Sequence, residues 1–168
     1  MRDTEHSIPP WPFFAALVVV AFGFNWLWEM VQMPAYAEMV GRSWLETAPR
    51  CTQASLGDVA LTLVVYGLGV LTSGCWRWGA EGGWNVYAAA ALLGGLLATA
   101  TEHIFLASGR WSYGERMPVV PGLGVGLWPL VQLVLLVPAA LAVASWWARR
   151  PGGTGGPATV PHSREERR

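Results

Sequence analysis

Four long apolar segments constrain this chain more than any other feature of its sequence. They run from about residue 12 to 33, 59 to 76, 84 to 107 and 122 to 147. Each approaches or exceeds the roughly 20 residues that an α-helix needs to cross about 30 Å of hydrocarbon. Only 13% of the 168 residues are charged, against about a quarter in an ordinary soluble domain. The sequence therefore predicts an all-α integral membrane protein.

The connections between these segments predict a four-helix up-down-up-down bundle with both termini on one side of the membrane. The short link 77–83 shares that side, whereas two longer loops, residues 34–57 and 108–121, lie on the other side. Residues 1–150 are predicted to form the transmembrane domain. The tail 151–168 is rich in Gly, Pro and charge, and we expect it to be disordered.

Charge excludes several functions and gives a weak indication of orientation. Every basic residue is an arginine, so a retinal Schiff base is excluded, and a net charge of zero does not favour a nucleic-acid partner. The cysteine spacing fits no metal site, and zinc would need Glu29, Asp58, Glu102 and His103 to converge. A haem held by two histidines is excluded because His6 and His162 lie in the termini, so we expect neither a metal nor a cofactor. The arginines nearly balance across the membrane, but the basic tail favours cytoplasmic termini in a bacterial inner (plasma) membrane.

Polar side chains inside the apolar segments predict a shared pocket. Asn25, Glu29 and Gln32 lie at i, i+4 and i+7 of the first segment, which is one face of an α-helix. Under the predicted topology, the same half of the bundle holds Asp58, Glu102, His103 and Gln132. Charged side chains within a membrane cost roughly 2.5–3.5 kcal/mol each on insertion scales and usually face the interior or water. We therefore expect a pocket that opens on the side of the two longer loops.

Glu102 and Glu29 are the candidate catalytic acid and base, because carboxyl groups within a membrane often mark sites of proton transfer. The alternative is a structural network in which carboxyls and amides join the helices. Asp58 is a binding candidate, although its place after Ser55-Leu56-Gly57 favours a helix-capping role.

The remaining polar candidates are expected to bind or orient a ligand. Asn25, Gln32 and Gln132 would orient the two acids through their amides. His103 suggests a proton relay or a ligand contact. However, adjacent helical residues point about 100° apart, so His103 does not face Glu102 directly.

The loop GRWSYGERMPVVPGLGVG, residues 109–126, is the most distinctive stretch. It supplies the binding candidates Arg110, Trp111 and Tyr113. The functional interpretation is a lid that brings cations over an anionic headgroup or over Glu102. The alternative is an interfacial loop with aromatic anchors and turn-forming residues. Its length favours the lid, because ordinary connections between helices have about 2–8 residues.

The run ATEHIFLASGRWSYGERMP, residues 100–118, resembles bacterial four-helix membrane proteins of unassigned function. It is also similar to carotenoid-biosynthesis membrane proteins of the hydratase and lycopene-cyclase type. The triplet Thr101-Glu102-His103 is similar to one in sterol-isomerase-like proteins of the emopamil-binding type. These resemblances imply that Glu102 is a proton donor, and they imply no particular substrate.

The leading hypothesis is a small membrane protein that binds a lipophilic, isoprenoid-like molecule or lipid in this pocket. Acid–base isomerase, cyclase or hydratase chemistry would be a further step. One alternative is a non-catalytic accessory or scaffold protein whose polar face docks a partner helix. The other is a homo-oligomeric component of a proton-coupled transporter. The sequence leaves open whether the chain is an enzyme.

Overall fold

A computed structural model describes residues 11–148, and these residues form an all-helical protein. The four long helices are α1, Trp11–Gln32; α2, Trp44–Ser73; α4, Trp84–Ala107; and α5, Leu127–Ala148. A single-turn helix, α3, spans Trp78–Glu81. All four long helices are apolar enough to cross a membrane, which confirms that prediction and indicates an integral membrane protein. The predicted disordered tail, 151–168, lies outside the described residues.

The second helix begins at Trp44 and not near residue 59, so the prediction of a long loop over residues 34–57 is wrong. Ser43 and Glu46 start this helix with a capping box, in which the Ser43 side chain accepts from the Glu46 N–H and the Glu46 carboxylate accepts from the Ser43 N–H at 2.8 Å. Pro49 lies inside the helix and removes one internal hydrogen bond without ending it. Asp58 consequently lies within α2, which corrects its expected capping role.

The last helix begins at residue 127 and not at 122, because the residues before it form a turn. Gly122 and Gly124 have φ angles of 83° and 68°, in the left-handed region that favours glycine and is incompatible with a right-handed helix. The turn is closed by the Val120 N–H, which donates to the Val125 carbonyl at 2.8 Å. The loop after α4 therefore extends through residue 126.

Helix α5 occupies the centre of the bundle, since it packs along both α1 and α4, and α1 also packs along α2. The α4–α5 contact uses the stripe Ala90, Gly94 and Ala98, whose members are all buried. A Cβ atom on Gly94 would lie 2.6 Å from the Leu133 carbonyl oxygen, so the close approach of these helices requires glycine there. Helices α2 and α4 meet in far fewer places.

Two apolar clusters lie on either side of the polar residues of α1. The larger cluster includes Phe13, Leu17 and Ala21 from the first part of α1. The smaller cluster surrounds the end of α1 and contains Met30, Met33, Ala35, Tyr36, Met39, Cys51 and Met117. Asn25 and Glu29 are buried between these two groups.

Candidate functional site

An amide network joins three helices through Gln132 of α5, which is only 2% exposed. Its Nε2 donates to Asn25 Oδ1 of α1 at 2.9 Å and to Asp58 Oδ2 of α2 at 2.8 Å. Its Oε1 accepts from Gln32 Nε2 at 2.9 Å, and the same nitrogen of Gln32 donates to Glu29 Oε1 at 2.7 Å. Both N–H groups of each glutamine amide are therefore used. This fixes the direction in which each amide points.

A second hydrogen-bond chain holds Glu102 of α4, which is 3% exposed. Its Oε2 accepts a hydrogen bond from the Tyr113 hydroxyl, and the Tyr113 oxygen accepts from the Gly126 N–H at 2.7 Å. Because the Gly126 N–H approaches a lone pair of that oxygen, the phenolic proton is directed to Glu102. Burial raises the pKa of Tyr113 above its usual range, and its hydrogen bond to Glu102 raises it further. The phenol therefore remains a neutral donor at physiological pH.

The loop after α4 is bound to the segment that follows α1. We refer to residues 33–39 and 109–126 together as the cap. The Gly114 N–H donates to the Ala35 carbonyl at 2.8 Å. The Tyr36 ring packs edge-on against Trp111, with ring centroids 5.9 Å apart. Backbone and aromatic contacts therefore make the two segments one cover over the end of the bundle.

A cavity of about 350 Å³ lies beneath the cap, between α2 and α4. Four carboxylic acids line it: Glu29, Asp58 and Glu102, each from a different long helix, and Glu38 from the cap. The remaining walls are mainly apolar and aromatic, and they include Met33, Tyr36, Met39, Leu61, Phe105, Trp111 and Leu133. Apolar walls with a few polar groups are typical of a small-molecule site.

The structure brings together most of the residues that the sequence singled out. Those in the two hydrogen-bond chains or the cavity wall are Asn25, Glu29, Gln32, Asp58, Glu102, Arg110, Trp111, Tyr113 and Gln132. His103 is different, because it is exposed on α4 and lies outside the cavity lining. Tyr113 also lies outside the lining, behind the carboxyl group that it contacts.

Arg110 lies at the cavity but not over Glu102. Its guanidinium stacks over the Phe105 ring at 4.9 Å from the ring centroid. The expectation that Arg110 pairs with Glu102 is therefore wrong, and Tyr113 takes that position on the carboxyl group. The indole N–H of Trp111 is buried and lies close to the Glu102 carboxyl group, although it forms no close hydrogen bond within residues 11–148.

Sequence analysis missed Arg50, Tyr36 and the methionines as site residues. Arg50 fell in a predicted loop, whereas it belongs to α2 and lines the cavity. The sequence SWLE at residues 43–46 matches the capping-box pattern and would have placed Arg50 on a helix. No local pattern distinguishes the cavity-lining methionines from ordinary core residues.

Comparisons of the chain with protein-family models, with curated proteins and with solved structures find no match. The resemblances seen in residues 100–118 therefore stay unconfirmed. Within residues 11–148, no group of three His, Cys, Asp or Glu side chains is arranged to bind a metal ion. The geometry of the cavity is consequently the basis for a functional proposal.

Proposed function

We propose that this membrane protein binds a lipophilic, isoprenoid-like molecule and that Glu102 and Glu29 act on it as acid and base. The observation that carries the proposal is the cavity, in which carboxyl groups from three helices line largely apolar walls. Carboxyl groups within a membrane are costly and are functional by default. A volume of about 350 Å³ lies at the lower end of the usual range for ligand pockets, about 300–1,000 Å³.

The positions of the carboxyl oxygens support proton transfer to and from a carbon–carbon double bond. Tyr113 holds Oε2 of Glu102 and Gln32 holds Oε1 of Glu29, while both acids also line the cavity, where a ligand can contact them. In an isomerisation, Glu102 gives its proton to one alkene carbon and a carbocation forms on the other. Glu29 then removes a proton from a neighbouring carbon, which restores a double bond in a new place.

Aromatic groups in the cavity wall favour the cationic stage of this reaction. Tyr36, Phe105 and Trp111 line the same cavity as the acids, and the faces of such rings attract positive charge. Cyclisation or hydration would use the same carbocation, with a second double bond or a water molecule as the nucleophile. The common step is protonation by Glu102.

The test compares lipids from membranes that contain the wild type, Glu102→Gln or Glu29→Gln. Glutamine keeps the size and much of the hydrogen bonding, so we expect normal expression. Conversion of the ligand should fall by about 10²–10⁴-fold, the usual contribution of a general acid or base. Mass spectrometry of lipids that copurify with each protein would identify the ligand and show which form accumulates.

The matched control is Glu115→Gln, which removes an exposed carboxylate outside the cavity lining. It should give the wild-type lipid profile. Lack of any retained lipophilic molecule in the wild type would overturn the binding proposal. The same lipid profile for the wild type and all three variants would contradict the proposed acid–base step.

We propose further that the helices run up-down-up-down, with both termini on the cytoplasmic side of a bacterial inner membrane. Contacts between α1 and α2 support opposite directions for these two helices. Phe13 near the start of α1 packs on Tyr66 in the second half of α2, with centroids 5.6 Å apart. Trp26 in the second half of α1 donates to Thr52 in the first part of α2 at 3.2 Å.

Cysteine labelling tests this arrangement in a Cys75→Ser background. Leu45→Cys and Glu115→Cys should react with a membrane-impermeant maleimide in intact cells, whereas Gly83→Cys should react only after permeabilisation. Leu45 is 87% exposed, and a Cβ atom at Gly83 meets nothing within 4 Å, so neither change should disturb folding. Reaction of positions 45 and 115 from different faces would contradict the topology.

A further inference from the structure

Two arginines without a carboxylate partner line the cavity. Arg50 lies in the first part of α2, and Arg110 follows the end of α4. Both are exposed, and both contribute to the cavity wall. Neither guanidinium forms an ion pair with a carboxylate in the described part of the chain. These two cations are therefore available to a ligand.

The spacing along the helices separates these cations from the buried acids. Arg50 lies eight residues before Asp58 in α2, which corresponds to about 12 Å along a helix that rises 1.5 Å per residue. Arg110 follows the end of α4 at Ala107, and its guanidinium lies over the Phe105 ring, three residues beyond Glu102. A ligand with its polar end at the two arginines would place its body beside the carboxyl groups.

The length of α2 places Arg50 at the membrane boundary. The helix has 30 residues and is about 45 Å long, against a hydrocarbon thickness of about 30 Å. One end of α2 must therefore lie outside the hydrocarbon. The exposed Trp44 and Leu45 and the capping box are at the same end as Arg50, so we place that end in the headgroup layer.

One further charged group, Glu38, lines the cavity with the arginines. Its Oε1 accepts from the Ser112 hydroxyl at 2.8 Å, and among the described residues it forms no ion pair with Arg50 or Arg110. The Trp111 indole N–H lies close to the Glu102 carboxyl group, so it belongs to the acid end of the cavity and not to the arginines.

We infer that the cavity takes a lipid with an anionic, phosphate-type head group, held between Arg50 and Arg110. The apolar chain runs inward from this group to Glu29, Asp58 and Glu102. This inference rests on the proposed function and adds the class of head group. It also places the reacting double bond in the part of the lipid chain that lies beside Glu102 and Glu29.

The experiment measures binding of three probes to the purified full chain at one fixed pH. The probes are a radiolabelled prenyl monophosphate, the matching prenyl alcohol and inorganic phosphate. Wild type should bind the prenyl monophosphate at least about tenfold more tightly than the alcohol, because charge-assisted hydrogen bonds are the strong ones. Arg50→Gln/Arg110→Gln should lose that preference and keep its affinity for the alcohol.

The control is Arg42→Gln/Arg116→Gln, which removes the same charge from exposed arginines outside the cavity lining. It should keep the wild-type preference. Each Arg50 and Arg110 single variant is measured too, so that misfolding of the double variant still leaves a result.

The outcomes separate this inference from the proposed function. Equal wild-type affinity for the prenyl monophosphate and the alcohol would overturn the head-group inference and leave the lipophilic site standing. If inorganic phosphate bound as tightly as the prenyl monophosphate, the prenyl tail of the lipid would contribute nothing to binding. That result would overturn the proposed function as well. A preference retained in the Arg50→Gln/Arg110→Gln variant would show that other groups hold the anion.

Discussion

Replacement of Gln132 by leucine is expected to lower the free energy of unfolding by about 2–5 kcal/mol. Gln132 donates to Asn25 and to Asp58 and accepts from Gln32, so leucine removes three interhelical hydrogen bonds at once. Such bonds in membrane proteins average about 0.6 kcal/mol and reach about 1.7 kcal/mol each. The groups left behind are buried, and leucine gives them no alternative partner.

The matched control for this prediction is Gln53→Leu. Gln53 also lines the cavity, from α2, but it is exposed and its amide makes no hydrogen bond within residues 11–148. Denaturation in mixed detergent micelles gives the free energy of unfolding for both variants. A Gln132→Leu protein as stable as Gln53→Leu would show that the amide network contributes nothing measurable.

The stripe Asn25, Glu29 and Gln32 shows what the sequence predicts well. An apolar helix that repeats polar residues every three or four positions must bury them together, because hydrocarbon gives them no partner. The structure shows how these groups are used. The amides of Gln32 and Gln132 bridge the helices, and Glu29, Asp58 and Gln132 take part in the network while also lining the cavity.

The sequence alone does not identify the hydrogen-bond partner of each polar group. Gln132 reaches Asn25 and Asp58 only because α5 has a particular rotation about its axis, and successive residues differ by about 100° in direction. That rotation is set by packing, such as the close approach of Gly94 to the Leu133 backbone. Sequence spacing within one helix does not contain this information.

The extent of α2 was missed for a different reason. Residues 44–57 include Pro49 and several polar side chains, which lower hydropathy and helix propensity together. The capping box at Ser43 and Glu46 and the buried face through Cys51 and Ser55 outweigh that propensity. The error hid Arg50, and with it the second cation of the proposed head-group site.

Replacement of Tyr113 by phenylalanine is expected to reduce ligand conversion by about tenfold or more and to destabilise the fold by about 1–3 kcal/mol. The hydroxyl holds Glu102 from one side and accepts the Gly126 N–H on the other. Phenylalanine keeps the ring but leaves both of these groups without their partner. Without the Tyr113 hydroxyl, the Glu102 carboxyl group would no longer be held in one orientation for proton donation.

A matched control is Tyr87→Phe. The Tyr87 hydroxyl, near the start of α4, donates to the Gly79 carbonyl of α3 at 3.0 Å, and this change removes that bond. It should lose stability but keep wild-type conversion, which separates positioning of Glu102 from support of the fold. Conversion is measured from the lipid products of each variant. Equal conversion by Tyr113→Phe and Tyr87→Phe would contradict a positioning role.

The pH dependence of unfolding provides an independent readout of Tyr113. Burial, followed by the hydrogen bond to Glu102, raises its folded-state pKa above the unfolded value of about 10. Its contribution to stability is therefore complete below pH about 10 and is lost as pH rises through the folded-state pKa. We expect wild type to lose more stability than Tyr113→Phe as pH rises above about 10. Parallel curves for the two proteins would mean that the phenol titrates as it does in the unfolded chain.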